Sequence, residues 1–257
     1  MNKWIAKSIE IFNSDGYLDE LFEVYPININ FDRDFKLGFK TRAEIAFSDK
    51  NEKDLIKELL NLSKFPINDP YIASLRKCPE LLDKNPETKQ RIGQRLFSMG
   101  LDNIFEMVSQ PKSSSRQFGN SFQKWLPSLD IPFLLPEDIV KKEGVFFLKG
   151  SNAQLKKFAK NILKIKNLDR CPDFILKKKD KFMLGEAKFL TSDGGTQNNQ
   201  FDNALKTAKI KTKDCTGIAI VDGVLWIGGN EYMQRTIRKF KHNAFSALLL
   251  KNFIKEF

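Results

Sequence analysis

Pro172-Asp173-Phe174-Ile175-Leu176-Lys177-Lys178-Lys179-Asp180-Lys181-Phe182-Met183-Leu184-Gly185-Glu186-Ala187-Lys188-Phe189-Leu190 is the stretch whose reading decides the fold. Residues 174–176 form a short β-prone run, 177–181 a polar turn and 182–190 a second strand, so the segment is expected to be a β-hairpin. Asp173 then stands at the mouth of the first strand. In the second, the two-residue period puts Phe182, Leu184, Glu186 and Lys188 on one face and Met183, Gly185, Ala187 and Phe189 on the other. A carboxylate and a lysine that follow apolar residues on one strand face need a partner, because ionised groups are seldom buried alone.

A divalent metal held against phosphate supplies that partner. Mg²⁺ favours hard oxygen ligands, often one or two carboxylates plus water and phosphate oxygens. Asp173 and Glu186 fit this role, with the main-chain carbonyl of Ala187 as a third ligand. Lys188 would stand beside an attacking water, lowering its pKa and steadying the developing phosphorane. The competing reading is a solvated amphipathic hairpin in which Glu186 and Lys188 pair across strands for about 0.2–1 kcal/mol. The proline before Asp173, the hairpin between the acids and the glycine-rich loop after them favour a metal-dependent nuclease.

Pro172-Asp173 and Glu186-Ala187-Lys188 resemble the signature of the PD-(D/E)XK nuclease superfamily, which includes most type II restriction endonucleases. The signature covers the central hairpin, and flanking segments extend it. Residues 217–226 read as further core strands with Asp222-Gly223 as a tight turn. Residues 115–125 are similar to the helix that opens this fold, with Gln123 where many relatives carry a glutamate facing the metal. Gln200 resembles the glutamine that many members carry on the helix after the catalytic strand. A fainter likeness, through Cys78-Pro79-Glu80-Leu81-Leu82 and the Asp222-Gly223 to Trp226 region, is to the type II enzymes that cut at GATC, and it assigns no recognition sequence. The resemblance implies an α/β fold with a central mixed sheet flanked by helices. It also implies a Mg²⁺-dependent endonuclease that cuts duplex DNA at a short specific sequence, leaving 5′-phosphates. By the same resemblance it acts as a homodimer, with a DNA methyltransferase of matching specificity as genetic partner. Two rivals stand beside this: a structure-specific repair or recombination nuclease, and a noncatalytic DNA-binding protein on the same scaffold.

Composition is compatible with a polyanion partner. Lys and Arg number 43 against 32 Asp and Glu, a formal charge of +11, and each phosphate neutralised releases condensed counterions. An AT-rich genome, with its abundant lysine codons, would give the same balance. At 257 residues the chain suffices for one large domain or a core with an added subdomain. No apolar run approaches the ~20 residues that span a bilayer, and charge interrupts the start too early for a secretory signal, so a cytoplasmic protein is expected. Cys78, Cys171 and Cys215 lack metal or disulfide spacing, and Cys171 is expected to be a small buried thiol. His242, the single histidine, argues against mechanisms built on a histidine pair, a Ser-His-Asp triad or a ββα-metal nuclease site and is expected on a surface or helix.

Two regions are expected: 1–110, a mainly helical elaboration that grips DNA or builds the dimer, and 111–257, the catalytic core, together one compact unit. Helices are expected over 52–63, 86–98 and 101–108. Asn85 is the candidate N-cap of the second, Pro86 its first residue and Gly100 its end. Residues 110–116 read as a hinge, in which Lys112, Ser114 and Arg116 are either phosphate contacts or an ordinary solvated linker. After the hairpin, Thr191, Ser192, Gly194, Gly195, Thr196, Gln197, Asn198 and Asn199 form a loop expected to touch DNA, since amides bond adenine edges bidentately. A plain N-cap by Asn198 or Asn199, ahead of a helix over 201–211, competes for those residues. Gln234, Arg235, Arg238, Lys239 and Lys241 are expected on a basic helix that either follows the DNA backbone or is merely solvated. Phe245, Leu248, Leu249, Asn252 and Phe253 fall at helical spacing, as for a core or dimer stripe.

Overall fold

A computed structural model describes residues 1–26, 35, 37–109, 121–166, 168 and 170–257. The expected hairpin forms: strand β3 (Phe174–Lys178) pairs antiparallel with β4 (Lys181–Leu190). The polar turn is shorter than expected, since only Lys179 and Asp180 lie outside the strands and Lys179 takes a positive φ of 54°. Lys177 and Lys178 stay in β3 because their amines find carbonyls. Lys177 Nζ donates to Val140 O at 3.0 Å and Lys142 O at 2.8 Å. Lys178 Nζ donates to Ile254 O and Lys255 O, each at 2.7 Å, satisfying carbonyls that a helix end leaves open.

Around the hairpin the sheet orders β1 (Phe133–Leu134), β2 (Val145–Leu148), β3, β4, β5 (Cys215–Gly223) and β6 (Ala244–Phe245) in sequence. The pairs β1–β2, β4–β5 and β5–β6 are parallel, while β2–β3 and β3–β4 are antiparallel. The sheet is therefore mixed and, with helices against it, the fold is α/β as expected. Strand β4 lies between two partners and is buried over most of its length, which is why it reads as a near-continuous apolar run. Its two faces still separate. Phe182 and Leu184 pack with Ile175, Leu155 and Phe158, whereas Met183 and Ala187 join the core that holds Phe174, Leu176 and Phe122. Glu186 and Lys188 thus continue the Phe182–Leu184 face, as the alternation predicts.

Two compact units emerge, and they differ from the expected 1–110 and 111–257 division. One comprises Met1–Ile27 with Ser113–Phe257, the other Asn28–Lys112. The helices Lys3–Phe12 and Tyr17–Val24 belong with the sheet because their apolar faces are completed by C-terminal residues. The Trp4 ring lies 5.1 Å from Phe253 and 5.7 Å from Phe245, and the Ser246 N–H donates to Ser8 Oγ at 3.0 Å. At the edge of this unit Ser121 Oγ donates to Pro26 O at 3.5 Å. The Asn28–Lys112 unit carries helices Phe39–Ser48, Glu52–Leu60, Ile72–Lys77, Leu81–Lys84, Pro86–Met99 and Leu101–Ser109 around Leu55, Leu59, Ile92, Leu96 and Ile104. Gly100 ends the fifth of these with a φ of 82°. Asn85 stands at its N-cap position and Pro86 at its start, as expected, but the Asn85 side chain makes no capping bond and its amide donates back to Leu81 O at 2.7 Å.

Three more expectations are corrected. Asp222-Gly223 is no hairpin turn, since β5 runs unbroken through Asp222 and then enters a 3₁₀ turn, Val224–Trp226. Asp222 is wholly buried, and its carboxylate accepts from Tyr25 Oη at 3.0 Å, Tyr17 Oη at 3.3 Å and the Ala247 N–H at 3.0 Å. The C-terminal stripe is not one helix: Phe245 lies in β6, Leu249 in a 3₁₀ turn and Phe253 in the helix Leu250–Glu256, though all three are core residues. Cys171 is half-buried rather than buried, and the three cysteines are free. No helix among the described residues is long and apolar enough to cross a membrane.

Candidate active site

Pairing of β3 with β4 brings the acids together. Asp173 precedes β3 by one residue, with its N–H bonded to Gly185 O at 2.9 Å. Its Oδ2 accepts from the Ala187 N–H at 2.7 Å, so the carboxylate is held against β4 midway between Glu186 and Lys188. Lys188 Nζ lies 3.1 Å from Glu186 Oε1 and 3.5 Å from Asp173 Oδ2, and it donates to Ala187 O at 3.1 Å. The pairing of Glu186 with Lys188 runs along one strand rather than across two. Nor is it solvated, because the Glu186 side chain is 3 % exposed against 20 % for Lys188 and 27 % for Asp173. Of the three side chains, Asp173 and Lys188 are the more accessible.

The other oxygen of Glu186 is fixed from behind. Thr207, buried on the helix Gly195–Ala208, donates from Oγ1 to Glu186 Oε2 at 2.8 Å. Gly217 on β5 lets that helix come close, for a Cβ at this position would lie 1.9 Å from the Thr207 carbonyl oxygen. The Gly217 N–H also donates to Ile210 O at 2.7 Å, tying the helix end to the strand.

Two carboxylates share one ammonium, so the cluster holds one uncompensated negative charge in a largely buried place. Burial pushes the Asp173 carboxyl above its ordinary value, with the Glu186 charge adding to it, against the pull of the Lys188 ammonium and the Ala187 N–H. A divalent cation would offset that charge, and Asp173, Glu186 and the Ala187 carbonyl are the hard oxygen donors that Mg²⁺ takes. Among the described residues no group of three or more His, Cys, Asp or Glu could hold an ion. Two carboxylates and one main-chain carbonyl are fewer donors than Mg²⁺ takes, so an ion held there would need water or phosphate oxygens as well.

The remaining candidates are distributed unevenly. Gln123 reaches the site through the backbone, its amide donating to the Asp173 carbonyl. Gln200 lies on the Gly195–Ala208 helix, seven residues and so nearly two turns before Thr207 on the same face. Most of the expected 191–200 loop is the start of this helix, and it closes on itself. Thr191 N–H donates to Gln197 Oε1 at 2.7 Å, Gln197 Nε2 to Thr191 Oγ1 at 2.6 Å, and Gly194 N–H to Asn198 Oδ1 at 3.1 Å. The N-cap position is Gly194, so neither Asn198 nor Asn199 caps the helix in the expected way. Ser192, Gly195, Thr196 and Asn199 are exposed. Lys112, Ser114 and Arg116 lie outside the described residues. Arg238 of the expected basic helix is committed to Gly229 O at 2.7 Å. Thr207 was missed by sequence reasoning, although helical spacing from Gln200 points to it.

Comparison with curated proteins and with solved structures found no match. The family model of the Tsp45I type II restriction enzyme matches residues 2–257. A match of that extent covers the sheet, the hairpin and the helical unit alike, and the chain accordingly belongs to the Tsp45I type II restriction enzyme family: it is a site-specific deoxyribonuclease.

Proposed function

We propose that Asp173, Glu186 and Lys188 form a PD-(D/E)XK-type centre that hydrolyses phosphodiester bonds of duplex DNA at a short specific sequence with Mg²⁺. The observation that carries this reading is the Lys188 ammonium lying within 3.5 Å of both carboxylates in one recess. Asp173, Glu186 and the Ala187 carbonyl would hold the ion, which when bound neutralises phosphate charge and acidifies water. Thr207 keeps Glu186 aimed into the recess. Gln123 braces the Asp173 backbone, which keeps the aspartate beside β4. Lys188 hydrogen-bonds the attacking water and offsets negative charge as it grows on the phosphorus oxygens. In-line attack leaves a 5′-phosphate and a 3′-hydroxyl.

The two strands of a duplex present equivalent phosphates related by a two-fold axis, which suits a homodimer with isologous contacts. The Asn28–Lys112 unit serves to grip DNA or to build that dimer, and Gln200 with the 191–199 segment and Lys112, Ser114 and Arg116 faces the DNA. The host's own DNA is protected by a methyltransferase of the same specificity, and the enzyme acts in the cytoplasm.

Purified protein, Mg²⁺ and a plasmid of known sequence test the reading. Discrete fragments with 5′-phosphate ends are expected, whereas selective cutting of branched DNA would favour a structure-specific nuclease. Asp173→Ala and Lys188→Ala should each lower cleavage by at least about 10²–10⁴-fold while leaving DNA binding largely intact. Variants that cut at the wild-type rate would sink the assignment.

A further inference from the structure

The Glu186 carboxylate lines one end of a crevice whose walls include Arg170, Asn203, Lys206 and Thr207. Arg170, Asn203 and Lys206 also line a wider groove of about 540 Å³ that continues past Asn199 and Lys209 to Tyr232. The two spaces share Arg170, Asn203 and Lys206, and the helix Gly195–Ala208 contributes to both. Phe201, Ala204, Leu205 and Ala208 bury one face of Gly195–Ala208, which leaves 199, 203 and 206 on the other at spacings of four and three. Arg170, Lys206 and Lys209 are exposed, and none has a carboxylate within 4.0 Å among the described residues. The groove's own acid, Asp202, is engaged by Tyr232 Oη at 2.8 Å. Three cations that lack a carboxylate partner among the described residues, with one amide, therefore line these spaces, the narrower of which reaches Glu186.

We infer that this groove is a phosphate track for the DNA strand beside the scissile bond. Arg170 takes the phosphate nearest Glu186, to which Asn203 also donates, Lys206 takes the next, and Lys209 the one after. The inference rests on the nuclease reading of Glu186 and adds the path that the strand follows. Its contacts carry no base information, so they act on any duplex.

Binding of a short random-sequence duplex, with Ca²⁺ in place of Mg²⁺, is measured across a range of salt. Each phosphate contact contributes about 0.9 to the slope of log affinity against log salt. Lys206→Ala and Arg170→Ala should each make the slope shallower by about that amount and weaken binding severalfold. Lys206→Arg should keep the wild-type slope. Lys160→Ala removes an equally exposed charge that lines neither space and should keep it as well. A wild-type slope in Lys206→Ala, or an equal loss in Lys160→Ala, overturns the track. Absence of Mg²⁺-dependent cleavage by the wild-type protein would instead overturn the nuclease reading, so the two failures are distinguishable.

Discussion

Thr207 contributes a single hydroxyl, yet it decides where Glu186 points. With one oxygen against Lys188 and the other bonded to Thr207 at 2.8 Å, the buried carboxylate has little rotational freedom. Thr207→Val keeps the shape and removes the donor, leaving a charged acceptor unsatisfied at a cost of about 1–3 kcal/mol. Groups that orient metal ligands typically matter by about 10–100-fold in metal affinity, so, on the proposed role of Glu186 as a Mg²⁺ ligand, Thr207→Val should raise the Mg²⁺ needed for half-maximal cleavage by about tenfold or more. Thr207→Ser should restore it, and a metal titration of cleavage rate decides between them. Asp173, Glu186 and Lys188 were legible because one hairpin carries all three, and the pairing of neighbouring strands brings local sequence into local space. Thr207 lies 21 residues from Glu186, and only the helical repeat from Gln200 hinted at it.

Among the elements, the alternation of β4 was readable while its turn was not. Three consecutive lysines suggest a solvated turn, but two of them place their amines on carbonyls distant in sequence. The helix Gly195–Ala208 was read as starting six residues late, because glycine and amide side chains favour loops by propensity, and as ending three residues late. Here Gln197 and Asn198 instead satisfy main-chain N–H groups at or just before its first turn. The seat of this helix on β5 is set by Gly217, where a Cβ would meet main chain rather than a movable side chain. Gly217→Ala should cost about 1–3 kcal/mol, as overpacking does, and should push Thr207 away from Glu186. Chemical denaturation should show the lost stability, and cleavage should fall further than in Thr207→Val. Wild-type stability in Gly217→Ala would show that the contact relaxes freely.

For the whole molecule, the α/β architecture followed from the hairpin and the strands around it, but the division of the chain did not. The first two helices complete a core whose other half is the last stretch of sequence, and no local pattern announces that. Asp222 marks the junction, with Tyr17 and Tyr25 bonded to it from 205 and 197 residues away. Burial raises its carboxyl from 3.8 to about 6, outweighing the hydrogen bonds from Ser246, Ala247, Tyr25 and Tyr17. Between those values the folded chain holds a proton that the unfolded chain has released. Stability from this group is therefore complete below about pH 4, falls as pH rises through about 6, and is gone above it, by about 3 kcal/mol. Asp222→Asn should remove that slope, and the difference in thermal midpoint between the two proteins from pH 4 to 7 measures it; parallel profiles would contradict the account. The bond between Ser121 and Pro26 has a different consequence. The two residues lie 95 positions apart in the chain, and the free energy of closing a loop grows only by about 0.6 kcal/mol for each doubling of its length. Insertions between those two residues should therefore cost the sheet unit little stability.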